Sequence, residues 1–306
     1  MKRAVVVINP LSGRGRFDNH VRAHGALASE VFAAADIEAL VRPTTAAGDA
    51  RRFAEEAVAS GSDLVVVWGG DGTINEAASA LVHTGVPLAV IPAGSGNGLA
   101  GDLGIPFDPR LALLVAAHGR TLAIDAGQVD DCYFFNIAGI GIDAVIAARF
   151  AERGLRQRGP LAYLTLSTAE LFRYHAQRYH FTLDGEPCSH EAMLVALANG
   201  RQYGNRVLIA PGARLDDGLL EVVIVEPLSV WGIASRLPAL FRGTLGAGAG
   251  ITMRAAHTIT VRVEGPIPYH VDGEPRLGRD EVVVRTHPRA LDVRAPEGLN
   301  TGRSCI

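Results

Sequence analysis

The sequence predicts two domains in series, an α/β domain built on a parallel sheet and then a mainly antiparallel β domain. Two observations carry this. From Met1 to about Asp125, short β-rich runs alternate with stretches of helical periodicity, the pattern of an open parallel sheet with covering helices. Beyond Asp125 the texture changes to longer β segments joined by hairpin-like turns, with few helices between them. At 306 residues the chain is long enough to bury a core in each part. The predicted boundaries are 1–125 for the first domain, with 287–306 as a segment that could return to it, and 126–286 for the second.

In chain order, the first domain reads as strands at Ala4–Ile8, Glu38–Val41, Leu64–Val67 and Leu88–Ile91. Helices fall at Asn19–Ala35, Gly48–Ser60, Ile74–His83 and Pro109–Ala117. Apolar runs of four or five residues closed by glycine read as buried parallel strands. Thr73 and Glu76, three apart before Ala77, Ala78 and Leu81, read as a capping box that opens the third helix. The second domain reads as strands at Tyr133–Ala138, Tyr179–Leu183, Glu191–Ala198, Leu220–Val225, Thr258–Val263, Tyr269–Val271 and Val282–Thr286. Apolar residues at helical spacing place helices at Ile142–Arg153, Leu161–His175 and Val230–Leu240. The tail Glu297–Ile306 is glycine-rich and polar, the composition of a frayed terminus.

Composition narrows the function classes. A net charge of -3 with 6% aromatic residues gives neither the basic surface nor the stacking platforms of a nucleic-acid binder. The three cysteines, Cys132, Cys188 and Cys305, share no metal-ligand spacing, so reduced thiols in a cytoplasmic protein are expected, without disulfide or zinc. The apolar run after Met1 is too short for a signal peptide, and no run approaches the roughly 18 apolar residues that span a bilayer. Membrane contact, if made, is expected to be peripheral, at the inner face.

Three polar, glycine-rich loops follow three of the predicted parallel strands, where open α/β sheets bind ligands. After the first come Asn9, Pro10, Leu11, Ser12, Gly13, Arg14 and Gly15; after the third, Gly69, Gly70, Asp71, Gly72, Thr73, Ile74, Asn75 and Glu76. After the fourth come Ala93, Gly94, Ser95, Gly96, Asn97 and Gly98. Glycines let backbone N–H groups approach a polyphosphate, and a helix N-terminus adds a favourable dipole. Asp71 would repel a phosphate directly; it either organises Mg²⁺ and the groups around a transferred phosphoryl or caps backbone. Ser12, Ser95 and Asn97 supply further hydrogen bonds. Together the loops imply one nucleotide site.

In the second half, Asp216, Asp217 and Gly218 suit either a hard-cation site or a hairpin turn. The tetrapeptide Asp-Gly-Glu-Pro occurs twice, at 184–187 and 272–275. A carboxylate at such a strand end could orient an alcohol and accept its proton, and equally either copy could be a plain hairpin turn; spacing does not choose between them. The ten histidines are scattered, and His257 and His270 read as surface or core residues. The apolar stretch 228–249, with Trp231, Leu237, Leu240 and Phe241 beside Arg236 and Arg242, reads as a helix on the core, with lipid contact as the lesser alternative.

These segments resemble the diacylglycerol kinase catalytic-domain family, and within it the bacterial lipid kinases related to diacylglycerol and sphingosine kinases. The matching pieces run in family order: Asn9-Pro10-x-Ser12-Gly13, Gly69 to Glu76, Pro92 to Asn97, Asn136 to Ala144, Asp217 to Leu220 and Val271 to Glu274. The resemblance implies a phosphofructokinase-like (NAD kinase-like) three-layer α/β domain joined to an antiparallel β-sandwich that takes the lipid. It implies an ATP-dependent, Mg²⁺-dependent kinase acting on a diacylglycerol or sphingoid-like hydroxyl. It likens Asn9, Thr44, Gly70, Asp71, Gly72, Thr73, Glu76 and Ser95 to positions around ATP; Ser12, Gly69, Asn75 and Asn97, in the same loops, complete the expected cofactor-binding set. It likens Asp217, with the main-chain carbonyls of Arg214 and Leu219, to a Mg²⁺ site. It favours the second tetrapeptide as catalytic, with Glu274 the proton acceptor beside Asp272 and with Asp71 on the nucleotide side. Gly98 stands where many bacterial diacylglycerol kinases carry aspartate, a form more like sphingosine kinases, so the resemblance does not choose the lipid. An NAD kinase-like enzyme with a soluble acceptor and an inactive nucleotide- or lipid-binding module are the alternatives; a homodimer is an open one for the assembly.

Overall fold

A computed structural model describes residues 1–12, 17–152, 170, 173–204, 206–248 and 250–298. The expected Gly13, Arg14 and Gly15, most of the helix at Leu161–His175, and the tail from Leu299, with Cys305, lie outside the described residues. The chain divides into two compact units, one formed by Met1–Ile124 and the chain from Arg289 onward, the other by Asp125–Pro288.

The first unit runs β1 (Lys2–Ile8), α1 (Phe17–Ala34), β2 (Ile37–Pro43), α2 (Asp49–Ala59), β3 (Leu64–Gly69), α3 (Asp71–Leu81), β4 (Leu88–Pro92), α4 (Gly98–Asp102) and α5 (Pro109–His118). Its sheet is parallel, in the order β2-β1-β3-β4. β3 and β4 are buried along their whole length, as expected for strands covered on both faces. The capping box expected from Thr73 and Glu76 does not form: α3 starts at Asp71 behind an extended Gly70, with no side-chain cap. Both side chains are engaged elsewhere, Thr73 by Asn9 and Glu76 by the N–H of Gly48.

β5 (Arg120–Val129) leads into the second unit, followed by β6 (Cys132–Phe134), β7 (Ile137–Gly141), α6 (Ile142–Glu152), β8 (Gln177–Leu183), β9 (Glu186–Ala192), β10 (Leu194–Ala198) and β11 (Leu220–Val225). Then come α7 (Val230–Arg242), β12 (Ile251–Ala256), β13 (Thr258–Arg262), β14 (Pro268–Val271), β15 (Glu274–Leu277) and β16 (Glu281–Ala295). One sheet has the order β12-β11-β10-β7-β14-β15, antiparallel throughout. The facing layer pairs β9, β8, β13 and the first half of β16, also antiparallel. Phe181, Val261 and Val284 from this layer share one core with Ile140, Leu197 and Val222 from the other, so the unit is a β-sandwich.

Several strand expectations change. The run Tyr133–Ala138 is two strands, because Phe135 and Asn136 turn their N–H groups to the Asp272 carboxylate instead of a ladder. Glu191–Ala198 is broken at Met193, where the chain leaves β9 in one layer for β10 in the other. β16 extends far beyond Val282–Thr286; Pro288 hides the continuation, and Arg289 takes a left-handed φ of 50° where the strand passes into the first unit. β5, β12, β15 and α4 were not expected.

Candidate active site

In the first unit, sheet register gathers the loops. Ile8 of β1 pairs with Trp68 of β3, and Gly69 of β3 pairs with Pro92 of β4, so all three loops leave from one edge. Thr44, buried after β2, donates its N–H to the Ile8 carbonyl at 2.8 Å. Asn9 Nδ2 donates to Thr73 Oγ1 at 2.8 Å, tying the first loop to α3, while Asn9 Oδ1 accepts from the Leu11 N–H. Gly70 and Gly94 are in backbone contact: a Cβ on Gly94 would stand 2.7 Å from the Gly70 Cα, which makes glycine obligatory there.

Asp71 joins the second and third loops. Its carboxylate accepts the N–H of Asn97 at 2.8 Å and that of Gly98 at 3.0 Å, the first amides of α4. Asn97 itself is buried, in the left-handed region at φ 56°, and its amide is spent on Gly94: Oδ1 accepts the Gly94 N–H and Nδ2 donates to the Gly94 carbonyl. Expected to face a ligand, Asn97 shapes the loop instead. Ser95 at the loop tip is exposed, whereas Ser12, Gly72 and Asn75 are half-buried; Asn75 accepts from Ser79 Oγ at 3.4 Å. Glu76 accepts the Gly48 N–H at 3.0 Å, linking α3 to α2. The α3 N-terminus thus starts between two glycine-rich loops that the Asp71 carboxylate ties together.

In the second unit, Asp272 (φ 47°) and Gly273 (φ 86°) form the β14–β15 turn, and both left-handed angles suit a type I′ hairpin. The Asp272 carboxylate accepts three amides, from Phe135 at 2.9 Å, Asn136 at 3.0 Å and Ile137 at 3.1 Å. Glu274, which opens β15, is exposed. Behind this turn lies a pair missed in the sequence: His270 Nε2 stands 2.7 Å from Asp143 Oδ2, with the residues 3% and 6% exposed. Gly139 makes room for it, because a Cβ there would overlap both Asp143 Oδ2 and His270 Nε2. The Gly273 N–H donates to His270 Nδ1 at 3.2 Å, so the hydrogen bonds run from Asp143 through the imidazole to the turn.

Burial alone would raise the Asp143 carboxyl, but the charge and hydrogen bond of His270, helped by the Tyr203 hydroxyl, hold it below the ordinary value. Burial likewise disfavours the imidazolium; the Asp143 charge and hydrogen bond, then the Asp272 charge, outweigh it and raise His270. The Gly273 contact favours the neutral ring and opposes this rise, but a single 3.2 Å contact does not match two carboxylates. Asp143 and His270 are distant in sequence, and only Gly139 and Gly141, two glycines on a buried strand, hinted at a close approach.

Asp217 sits in the turn before β11, where Oδ1 accepts the Leu219 N–H at 3.1 Å and Arg214 reaches Asp216 at 3.4 Å. Beside it, fully buried Asp125 accepts the Gly218 N–H at 2.5 Å. Burial and the Asp217 charge raise the Glu221 carboxyl, a local excess of negative charge that a hard cation would relieve. The donor set is all oxygen, as Mg²⁺ requires, yet among the described residues no three carboxylate, histidine or cysteine groups converge as a metal cage. A cation here would depend on main-chain carbonyls and water.

Comparison with known proteins decides the family. Residues 3–129 match the diacylglycerol kinase catalytic domain, and residues 136–295 match the YegS C-terminal NAD kinase beta sandwich-like domain. A Mycobacterium tuberculosis protein named diacylglycerol kinase is 33% identical over 279 residues, covering 89% of this chain and 88% of its own. The chain belongs to the diacylglycerol kinase and YegS-like family of lipid kinases. A Pseudomonas aeruginosa member named "Probable lipid kinase YegS-like" is 33% identical over 299 residues, 95% of each chain. A crystal structure of a diacylglycerol kinase from Bacillus anthracis shares the fold, with a TM-score of 0.75 at 20% identity over 98% of each chain.

Proposed function

We propose that this family member transfers the γ-phosphoryl group of ATP to the hydroxyl of a membrane lipid of the diacylglycerol or sphingoid kind. The observation that carries the reading is the braced set of loops, in which the Asp71 carboxylate accepts the amides of Asn97 and Gly98 and holds two glycine-rich loops together at the start of α3, where a helix N-terminus favours phosphate. Asn9, Ser12, Thr44, Gly69, Gly70, Gly72, Thr73, Asn75, Glu76, Ser95 and Asn97 form or shape the nucleotide site. Mg²⁺ neutralises phosphate charge when bound, and Asp71 helps to organise it. Asp217, with the main-chain carbonyls of Arg214 and Leu219, would hold a second, structural Mg²⁺. The lipid oxygen attacks phosphorus, the bond to ADP breaks, and the hydroxyl proton passes to Glu274, with Asp272 fixing the turn that carries it. Contact with the membrane is peripheral, since among the described residues no helix is long and apolar enough to cross it.

Labelled phosphate transfer from ATP with Mg²⁺ to diacylglycerol, monoacylglycerol, ceramide, sphingosine and phosphatidylglycerol in mixed micelles tests this, with NAD as the soluble control. A labelled lipid that is lost in both Asp71→Ala and Glu274→Ala is the expected result. Label on NAD, or undiminished transfer by both variants, would overturn it.

A further inference from the structure

One helix of the second unit carries an apolar face that stands exposed among the described residues. α7 packs inward through Ala239 and Leu240 on the cluster around Ile137 and Val223, and through Ile233 beside Ile142 and Met193. At about 3.6 residues per turn, Trp231, Ala234, Leu237, Pro238 and Phe241 fall together on the opposite side, on an arc of roughly 120°. All five are exposed: Trp231 by 84%, Phe241 by 57% and Leu237 by 46% for the large ones. Large apolar residues scattered singly on a surface need no explanation, but three aligned on one helix face mark a surface that meets something.

The polar side chains near the start of the helix do not shield this arc. Ser229 caps the Gly232 N–H at 3.1 Å, while Ser235 Oγ and Arg236 Nη1 turn back to the Gly232 carbonyl at 2.8 Å and 2.7 Å. Gly243, in the left-handed region, closes the helix directly after Arg242.

Local charge says what meets it. Between Glu226 and Glu264 the sequence has no acidic residue but four arginines, within a chain of net charge -3. Arg254 pairs with Glu186 and Arg262 with Glu281, whereas Arg242 is exposed at the edge of the apolar arc. Trp, Leu and Phe on one face with arginine at its border compose a helix that lies in a bilayer interface and favours anionic headgroups. On the lipid-kinase reading, on which this surface depends, the acceptor resides in a bilayer that the described helices do not cross. We propose that α7 is the surface on which the protein seats on an anionic bilayer. Trp231, Leu237 and Phe241 enter the headgroup–acyl boundary, and Arg242 meets lipid phosphate.

The chain supplies its own reporter. Of its two tryptophans, Trp68 is 2% exposed and stacked on His24, so a change in emission on membrane binding belongs to Trp231. With phosphatidylglycerol vesicles, the full chain is expected to show a blue shift and co-sedimentation, both weak with phosphatidylcholine. Phe241→Glu should lower partitioning about tenfold or more, from the lost burial of one large side chain. The same variant should phosphorylate a short-chain acceptor below its micellar concentration as wild type does. Trp231→Phe should abolish the spectral change and keep most of the sedimentation. Unchanged emission with phosphatidylglycerol, or wild-type partitioning by Phe241→Glu, would overturn the proposal. So would a blue shift that needs protein concentration but no vesicles and accompanies a dimer in sedimentation velocity, since a second copy then covers the face. Vesicle binding needs no turnover, so failure of every acceptor to take phosphate would sink the kinase reading separately.

Discussion

The same four residues, Asp-Gly-Glu-Pro, close two hairpins of the β-sandwich, β8–β9 at 184–187 and β14–β15 at 272–275. Their backbones agree closely: φ is 49° and 90° at Asp184 and Gly185, and 47° and 86° at Asp272 and Gly273. Both aspartates also do the same local work, accepting amides from a neighbouring segment, His257 and Thr258 in one case and Phe135, Asn136 and Ile137 in the other. The surroundings separate them. Asp184 is braced at an exposed edge, whereas the Asp272 turn is tied through the Gly273 N–H to the buried His270–Asp143 pair. A turn sequence specifies its own geometry; what backs it decides whether the carboxylates it carries are fixed well enough for chemistry.

The largest expected effect falls on Glu274. On the proposed role of Glu274 as proton acceptor, Glu274→Ala should lower kcat by about 10²-fold or more. The residue is exposed at a strand start, so the unfolding midpoint should hold. Steady-state kinetics beside a thermal melt makes the check, and a melt that collapses together with kcat would show a structural role instead.

Next comes the backing of the turn. His270→Ala leaves the Asp143 carboxylate buried without its partner, which costs about 3–5 kcal/mol on denaturant unfolding. Adding Asp143→Ala should return part of this, because the orphaned charge goes with it. The pair also sets a pH window. Asp143, held below its ordinary 3.8, adds stability above that value and loses it as pH falls through its folded value. His270, raised above its ordinary 6.5, adds stability fully below that value and loses it as pH rises through its folded value. The contribution is thus greatest on the acid side of neutrality. His270→Gln should flatten the alkaline limb of a stability–pH profile, and an unaltered limb would remove the pair from the account.

Asp272→Ala and Asp184→Ala compare the turns directly. The first strands three amides of a buried segment and should cost about 2 kcal/mol, while water reaches the second site and should hold its loss near 1 kcal/mol or below. Equal losses on denaturant unfolding would mean that the two surroundings do not differ as the contacts indicate.

Much of this was legible from residue order alone. The parallel strands announced themselves as apolar runs between glycines, and the loops at their ends were readable as clusters of small and polar residues that break the apolar pattern. Contacts between distant segments were not. Asp143 and His270 share no spacing rule, Pro288 disguised a continuous β16, and Met193 looked like mid-strand because a change of sandwich layer leaves the apolar alternation intact. Asn97 shows a further gap: the loop that contains it was found, but a buried amide spent on Gly94 cannot be told by sequence from one that faces a ligand.

The smallest effect is the one that most sharpens the comparison. Glu186 occupies in the first turn the place of Glu274 in the second, and its carboxylate meets Arg254 Nη2 at 2.6 Å, with the two side chains 70% and 45% exposed. Solvent screens such a pair, and holding two long side chains in one geometry costs entropy, so surface pairs of this kind contribute little. Glu186→Ala should therefore shift neither the unfolding midpoint nor kcat beyond experimental error. The substitution is chemically identical to Glu274→Ala and sits at the same position of the other copy of the turn, so it controls for removing a carboxylate from this motif as such. If Glu186→Ala lost turnover while Glu274→Ala retained it, the catalytic role would belong to the first copy, and the buried pair behind the second would be a device of folding alone.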